Sequence, residues 1–133
     1  MDISRIVEMA FVARKNAYTP YSNFKVGACV MTQDGKFFGG ANNENASYGL
    51  TNCAERSACF AAYSAGYRKE DIEMLAVVTE AEKLTTPCGA CRQVLSELLC
   101  EDTPIVLSNK KETVVTNIKE LLPAMFGAED LNK

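Results

Sequence analysis

The segment TTPCGACRQV, residues 85–94, contains two cysteines three positions apart, Cys88 and Cys91, directly after a proline. An apolar pattern with helical spacing follows the pair, so a helix is expected to begin here. Two cysteines at this spacing can form a redox pair, supply half of a metal site, or be buried as small side chains. The segment alone does not decide among these roles, so partner groups must be sought in the rest of the chain.

Strand patterns lie on both sides of this segment. IEMLAVVT, residues 72–79, is almost continuously apolar, as expected of a strand that is covered on both faces. PIVLS, residues 104–108, and TVVT, residues 113–116, predict two short strands joined by a turn. A short helix is expected around residues 117–122.

The N-terminal half begins with a helical pattern and continues with a hairpin. Asp2 is the expected cap of the first helix. Residues 25–32 and 36–42 predict two strands that turn at Asp34-Gly35, a dipeptide typical of tight hairpins. The helix is marked by apolar residues at helical spacing, namely Ile3, Ile6, Val7, Ala10, Ala13 and Ala17.

A polar loop and a second helix complete this half. The loop covers residues 43–52, and the helix is expected from about Cys53 to Ala65, with Gly66 as its C-terminal stop. Helices and strands in this order predict a three-layer α/β/α fold with a mixed sheet of about five strands. We expect residues 1–133 to form a single domain, because the length suits one core and no linker interrupts the pattern.

Composition and charge exclude several classes of partner. Apolar residues make up 47% of the chain and charged residues 23%, which is typical of a packed globular protein. The net charge of −3 argues against nucleic acid or an anionic membrane as the main partner, and no apolar run approaches the length of a membrane span. The first ten residues lack the basic and apolar segments of a secretory signal, so a cytoplasmic location is expected.

The chain contains no histidine and six cysteines. Without imidazole, any general acid or base must be a carboxyl, thiol, amine or phenol group. A reducing compartment favours free thiols or metal ligands over disulfides. The cysteines are therefore the first candidates for a metal site.

Cys53 supplies a second element for the pair at Cys88 and Cys91, since it lies at the expected start of another helix. A helix N-terminus carries partial positive charge, which favours a thiolate. Three thiolates at two helix ends would bind Zn²⁺ well, and an open fourth position is typical of catalytic zinc. A carboxylate could still close that position, and a redox pair remains an alternative. Burial is the expected role of the other three cysteines, Cys29, Cys59 and Cys100.

Glu55 lies two residues after Cys53, where both side chains can border the space ahead of the helix end. A carboxylate there can hydrogen-bond a water molecule held by the metal. The same side chain can instead stabilise the helix dipole, and position alone favours this second role.

Five segments of the chain together resemble the small, homotetrameric family of zinc-dependent cytidine deaminases. The resemblance covers nearly the whole sequence, and the segments occur in the family's order. Each segment alone is a weak signal, whereas the set is highly specific. Asn43 stands where the family more usually has an apolar residue, which does not affect the flanking Asn42 and Glu44. The segments are TPYSNFKVGA, NNENASY, NCAERSA, PCGACRQVLSE and ELLPAMFGAEDL.

This resemblance implies the hydrolytic deamination of cytidine and deoxycytidine to uridine and deoxyuridine, with release of ammonia, in pyrimidine salvage. One Zn²⁺ per chain would be held by Cys53, Cys88 and Cys91, and hydroxide generated there would attack C4 of the base. Glu55 would shuttle the protons, acting first as a base and then as an acid. The expected substrate is a nucleoside rather than a nucleotide, because residues 42–52 contain no lysine or arginine to receive a phosphate.

The same resemblance assigns substrate-binding roles to four further residues. Asn42 and Glu44 would hold the ribose 3′-hydroxyl, although a polar loop can also use such side chains to cap its own backbone. Phe24 would pack on the base or sugar, with an ordinary core aromatic as the alternative. Phe126 would enter the site of a neighbouring subunit, in a homotetramer whose active sites are shared between subunits.

Arg56 is the candidate for a group that supports the metal ligands. It follows Cys53 by three residues, a spacing that places two helical side chains on one face. Its guanidinium can donate hydrogen bonds to thiolate sulfurs beside the metal. The alternative is a surface arginine that pairs with a carboxylate.

Three rival functions fit some of the same residues. One is a deaminase of another aminopyrimidine such as blasticidin S, against which the pair Asn42 and Glu44 favours an ordinary ribose. The second is a thiol redox protein that uses Cys88 and Cys91, for which no tightly bound zinc is expected. The third is a noncatalytic zinc-stabilised interaction domain, which would not change the ultraviolet absorbance of cytidine.

Overall fold

A computed structural model describes residues 3–131 of the chain. Its helices and strands are α1 (Ile3–Arg14), β1 (Gly27–Thr32), β2 (Phe37–Ala41), α2 (Ala54–Ser64), β3 (Ile72–Val78), α3 (Gly89–Leu98), β4 (Ile105–Ser108), β5 (Thr113–Thr116) and α4 (Ile118–Leu121). The strands form one five-stranded mixed sheet in the order β2-β1-β3-β4-β5. Helices cover both faces of this sheet, so the expected three-layer α/β/α fold is confirmed.

The expected hairpin joins the first two strands. β1 and β2 pair antiparallel, with Met31 opposite Phe37. Gly35 adopts a φ of 88°, a backbone conformation that residues with a side chain rarely take. The backbone N–H of Thr32 donates to the carbonyl of Lys36 at 2.9 Å and closes the turn. The prediction of a turn at Asp34-Gly35 is therefore confirmed.

β3 is the central strand of the sheet. It pairs antiparallel with β1 and parallel with β4, so α3 is the crossover between two parallel strands. Six of the seven β3 residues are buried, which confirms the expectation of a strand covered on both faces. Residues 79–88 connect the carboxyl end of β3 to the start of α3.

Different helices cover the two faces of the sheet. On one face, Ile6 and Ala10 of α1 are fully buried within the cluster that also contains Met74 and Val106. On the other face, α2, α3 and α4 form a larger core with the alternate strand residues. Its buried members are Ala28, Val30, Ala54, Ala58, Cys59, Ala62, Ile72, Leu75, Val77, Leu95, Leu99, Ile105, Leu107 and Ile118.

A glycine allows α2 to approach the sheet closely. A Cβ built on Gly40 of β2 would lie 2.5 Å from the backbone nitrogen of Ala58 and 2.7 Å from the carbonyl oxygen of Ala54. Any side chain at this position would therefore push α2 away from the sheet. The contact fixes the first turn of α2, and with it the positions of Cys53 and Glu55.

Three details differ from the sequence-based expectations or lie beyond the described residues. α1 ends at Arg14 rather than at Ala17, because the chain turns and Tyr18 then forms a bridge with Asn43. Asp2, the expected cap of α1, lies outside the described residues. Cys100 is only partly buried, because it lies beyond the end of α3 at the edge of the core. Burial is confirmed for the other two cysteines of that group, Cys29 and Cys59.

No helix within residues 3–131 combines the length and apolar character needed to cross a lipid bilayer.

Candidate active site

The N-termini of α2 and α3 meet on one side of the sheet. Cys53 is the residue immediately before α2, and Cys88 is the residue immediately before α3. Neither side chain forms a hydrogen bond that caps its own helix, so both sulfurs are available to other groups. Cys91 lies one turn into α3 and points its sulfur toward the same place.

The three sulfurs lie close enough together to share one metal ion, and the Cys53–Cys88 pair has the spacing of a tetrahedral zinc site. The Sγ atoms of Cys53, Cys88 and Cys91 all lie within 4.8 Å of one another, and those of Cys53 and Cys88 are 3.8 Å apart. Zinc–sulfur bonds of about 2.3 Å in tetrahedral geometry place two sulfurs about 3.8 Å apart. A disulfide would require about 2.05 Å. Within residues 3–131, this is the one group of three such ligands that can hold a metal ion.

The three cysteines differ in their exposure. Cys91 is fully buried, Cys53 is partly buried and Cys88 is exposed. Cys53 and Cys88 line a pocket in front of the two helix ends. A metal held by the three sulfurs would therefore have its fourth position on the pocket side, as catalytic zinc sites do.

Mutual hydrogen bonding already favours a thiolate in this cluster. The Cys91 thiol is the main cause that lowers the pKa of Cys53 to about 5, with further contributions from Arg56 and Cys88. The same contact with Cys53, together with burial, raises the pKa of Cys91. The cluster thus stabilises negative charge at Cys53, and a bound metal would complete the deprotonation of the others.

Glu55 is a buried carboxyl group at the edge of the pocket. Its side chain is 5% exposed, and the residue lines the pocket together with Cys53. Burial raises the pKa of Glu55 above the ordinary value, and the negative charge of Cys53 raises it further. A raised pKa makes a carboxylate a better proton acceptor, which suits a general acid–base group.

The pocket is open on one side and has a volume of about 210 Å³. Apolar and polar side chains both line it, and Glu55 is the one carboxyl group among them. Its lining residues are Phe24, Val26, Asn42, Thr51, Cys53, Ala54, Glu55, Val77, Thr85, Thr86 and Cys88.

Asn42 and Glu44 both bind the preceding loop, but only Asn42 is among the residues that line the pocket. Asn42 lines the pocket, accepts from the backbone N–H of Val26 at 2.9 Å and donates to the carbonyl of Phe24 at 2.8 Å. Glu44 is 7% exposed and accepts hydrogen bonds from the backbone N–H groups of Tyr21 and Ser22 and from the Ser22 hydroxyl. These bonds lower the pKa of Glu44, the Ser22 hydroxyl contributing most.

The two phenylalanines predicted to contact substrate lie in different places. Phe24 lines the pocket and is 40% exposed, so it is not an ordinary core aromatic. Phe126 is 57% exposed and is not among the residues that line the pocket of its own chain. Its carbonyl accepts a hydrogen bond from the side chain of Gln93 on α3 at 3.0 Å.

Arg56 faces the cysteine cluster. Its Nη2 donates to the sulfur of Cys53 at 3.4 Å, and this contact is the main cause that raises the pKa of Arg56. Its Nε atom is buried and has no hydrogen-bond partner among the described residues. One donor of this guanidinium is therefore directed at the anionic cluster, and none of the ion pairs among residues 3–131 involves Arg56.

Sequence reasoning missed two sets of residues around the pocket. Thr85 and Thr86 line it, and only the fold shows that the segment before Cys88 forms a wall. Arg92 binds this segment through its guanidinium. In the sequence, the one indication that Arg92 acts near the site is its position directly after Cys91.

Comparison with known proteins agrees with this geometry. The family model described as "Cytidine and deoxycytidylate deaminase zinc-binding region" matches residues 1–107. The cytidine deaminase of Halalkalibacterium halodurans is 50% identical over 133 residues, which covers 99% of this chain and 99% of that protein. The cytidine deaminase of Sporosarcina psychrophila is 44% identical and covers 99% of this chain and 96% of its own.

Solved structures give the same result. The crystal structure of cytidine deaminase from Burkholderia pseudomallei has a TM-score of 0.91 at 51% identity and covers 95% of this chain and 100% of that one. The crystal structure of cytidine deaminase from Mycobacterium tuberculosis has a TM-score of 0.81 at 38% identity, with coverages of 96% and 98%. The chain belongs to the cytidine deaminase family of hydrolytic deaminases.

Proposed function

We propose that this single-domain protein hydrolyses cytidine and deoxycytidine to uridine and deoxyuridine, with one zinc ion per chain. In this reaction water supplies the new oxygen at C4 of the base, and the amino group leaves as ammonia. The observation that carries the proposal is the meeting of Cys53, Cys88 and Cys91 at a pocket whose buried acid is Glu55. The names of the relatives support the choice of cytidine.

The three cysteines would hold the metal. When bound, zinc supplies Lewis acidity that makes water a competent nucleophile near neutral pH. The sulfurs leave the pocket side open, so a water molecule and the base can meet there. Arg56 and the two helix N-termini offset the negative charge of three thiolates.

Glu55 would carry the protons between water and substrate. As a carboxylate it accepts a proton from the attacking water and delivers it to the N3 atom of the pyrimidine ring. It then moves the second proton of that water from the new C4 hydroxyl to the amino group, so that the C4–N bond breaks, the C4 carbonyl forms and ammonia leaves as a neutral molecule. The raised pKa of Glu55 supports this role, because the carboxyl group must be able to donate as well as accept.

Asn42, Glu44 and Phe24 would bind the nucleoside. Asn42 and Phe24 lie in the pocket wall, and Phe24 has an exposed ring face to offer to the base or sugar. Glu44, two residues after Asn42, is a buried carboxylate outside the pocket lining of this structure, and it has spare acceptor positions for a ribose 3′-hydroxyl. The hydrogen bonds that both polar side chains already make would hold them in place for this contact.

The substrate would be a nucleoside without a phosphate. No lysine or arginine is among the residues that line the described pocket, and Glu44 would repel an anion near the sugar. Turnover of cytidine is therefore expected to exceed turnover of its monophosphates. Equal or faster turnover of a monophosphate would contradict this part of the proposal.

The protein would work as a cytoplasmic homotetramer in pyrimidine salvage. Phe126 is exposed and does not line the pocket of its own chain, which suits a side chain that completes the site of a neighbouring subunit. Phe126→Ala should raise KM more than it lowers stability. A fully active monomer in sedimentation and activity measurements would refute shared sites.

Metal analysis and an ultraviolet assay with cytidine test the proposed function. We expect one zinc per chain, a loss of cytidine absorbance, and one ammonia for each uridine formed. Protein without zinc would favour a thiol redox role for Cys88 and Cys91. Zinc-loaded protein that leaves cytidine unchanged would favour an interaction domain, or a deaminase of another aminopyrimidine if blasticidin S is consumed instead.

A further inference from the structure

Arg92 connects the segment that precedes α3 to the C-terminal part of the chain. Its Nε donates to the carbonyl of Pro87 at 2.8 Å, and its Nη2 donates to the hydroxyl of Thr86 at 3.0 Å. Its Nη1 donates to the carbonyl of Leu121, the last residue of α4, at 2.8 Å. One guanidinium thus binds acceptors 29 and 5 positions away in the sequence.

Helix geometry explains how Arg92 reaches this segment. Long side chains on a helix point back toward its N-terminus, and Arg92 is the fourth residue of α3. Its guanidinium therefore returns over the first turn and meets residues 86 and 87, directly before Cys88. A positive charge near a helix N-terminus is unfavourable for the helix dipole. Stabilisation of α3 itself is therefore a poor explanation for an arginine here.

A neighbouring side chain makes a parallel connection. Gln93 follows Arg92 on α3 and donates to the carbonyl of Phe126 at 3.0 Å. Two consecutive residues of α3 therefore hold residues 121–126 by their backbone carbonyls. The C-terminal segment and the start of α3 are joined through these side chains.

We propose that Arg92 is a positioning residue that holds the Cys88 segment and the C-terminal segment in fixed relation to each other. It holds Pro87 and Thr86 from one side, which fixes the backbone that presents the Cys88 sulfur and the pocket wall. Its Nη1 also holds the carbonyl of Leu121. A change at the metal site should therefore change the stability of α4 and of the segment that carries Phe126. This inference rests on the proposed zinc site.

The rate of zinc release from loaded protein to an excess of a chromogenic chelator tests the metal side of this connection. Residues that orient metal ligands typically change metal affinity by 10–100-fold. We expect Arg92→Gln to release zinc roughly 10-fold faster or more, on the same basis. Arg92→Lys keeps the charge but cannot bind three separated acceptors, so it should show an intermediate rate.

Hydrogen exchange in the same samples tests the connection between Arg92 and α4. The backbone N–H groups of Leu121 and Leu122 donate within α4, to Asn117 and Ile118. We expect both amides to exchange faster in Arg92→Gln than in the wild type. Arg68→Gln is the matched control, because Arg68 also donates to two backbone carbonyls, those of Tyr63 and Tyr67. It should leave both zinc release and α4 exchange unchanged.

Unchanged zinc release and unchanged exchange in folded, zinc-loaded Arg92→Gln would overturn the inference. If Arg92→Gln does not fold, Arg92→Lys decides, and a wild-type release rate in that variant would overturn it. Neither readout depends on turnover. A protein that shows the expected changes in zinc release and exchange but does not deaminate cytidine would therefore refute the proposed reaction alone. Wild-type protein that holds no zinc would overturn the metal site and this inference together.

Discussion

The two helix ends that form the cysteine cluster are held in place by different means. At the start of α2, Ala54 is fully buried and Glu55 is 5% exposed, and Gly40 brings the helix against the sheet. At the start of α3, Cys88 is exposed, and the segment before it is held by side-chain hydrogen bonds from Arg92. The start of α2 is thus held by core packing, whereas the segment that carries Cys88 is held by polar contacts.

This difference suggests a division of tasks within the site. Packing at the start of α2 gives Glu55 a fixed and dry position, which suits proton transfer. The start of α3 lies at the pocket surface, where the metal and the substrate must enter and leave. Substitutions at α2 should therefore affect chemistry or folding, and substitutions at α3 should affect metal retention.

The largest expected effect is on turnover in Glu55→Gln. The amide fills the same buried space but cannot carry a proton, so kcat should fall by roughly 10²–10⁴-fold or more. Zinc content and unfolding free energy should stay close to those of the wild type. Glu97→Gln, at an exposed glutamate of α3, is the matched control and should retain full activity. A Glu55→Gln variant with most of its activity would refute the proton-transfer role.

The next largest expected effect is the loss of stability in Gly40→Ala, which disturbs the packing of α2 against the sheet. The added methyl group would lie 2.5 Å from the backbone nitrogen of Ala58, so the helix must move. Overpacking of this kind typically costs about 1–3 kcal/mol of unfolding free energy. Denaturant unfolding measures it, with Gly49→Ala as the control, because a Cβ at Gly49 would meet no atom within 4 Å. Equal stability of the two variants would show that α2 is not held by close packing.

Arg56→Gln should have a moderate effect that depends on pH. Arg56 helps to lower the pKa of Cys53, so its removal lets protons compete better for that sulfur. Zinc should therefore be lost at a higher pH on acidification than in the wild type, and kcat should fall. Zinc content measured across an acid titration tests this shift. The same midpoint in both proteins would mean that Arg56 does not act on the cluster.

The smallest expected effect is a difference in alkylation among the cysteines. Burial raises the pKa of Cys29 and of Cys59 to about 12, so neither thiol should react in the folded protein. After zinc removal, exposed Cys88 should react before buried Cys91. Mass spectrometry after brief iodoacetamide treatment measures the order, with partly exposed Cys100 as the internal reference. Equal rates for Cys88 and Cys91 would contradict the difference between the two positions.

The sequence predicted most of the fold because the periodic patterns were strong. The apolar run at residues 72–79, the Asp34-Gly35 turn and the Gly66 stop each correspond to an observed element or boundary. The end of α1 was misplaced, because the bridge between Tyr18 and Asn43 depends on contacts that are distant in sequence.

The site was only partly accessible from the sequence. Spacing at two helix starts suggested the cluster of Cys53, Cys88 and Cys91, which the fold brings together. The hydrogen bonds of Glu44 to Tyr21 and Ser22, and those of Arg92 to Pro87, Thr86 and Leu121, join distant segments through single side chains. Such contacts leave no periodic pattern, so only the folded arrangement shows them.

We expect deamination to depend on a metal held by Cys53, Cys88 and Cys91. The experiment that tests this dependence strips the metal with a chelator and follows the absorbance of cytidine while zinc is added back. Activity should be absent in the stripped protein and should rise in proportion to zinc until one equivalent per chain is bound. Full turnover without zinc, or no turnover at full occupancy, would contradict the account.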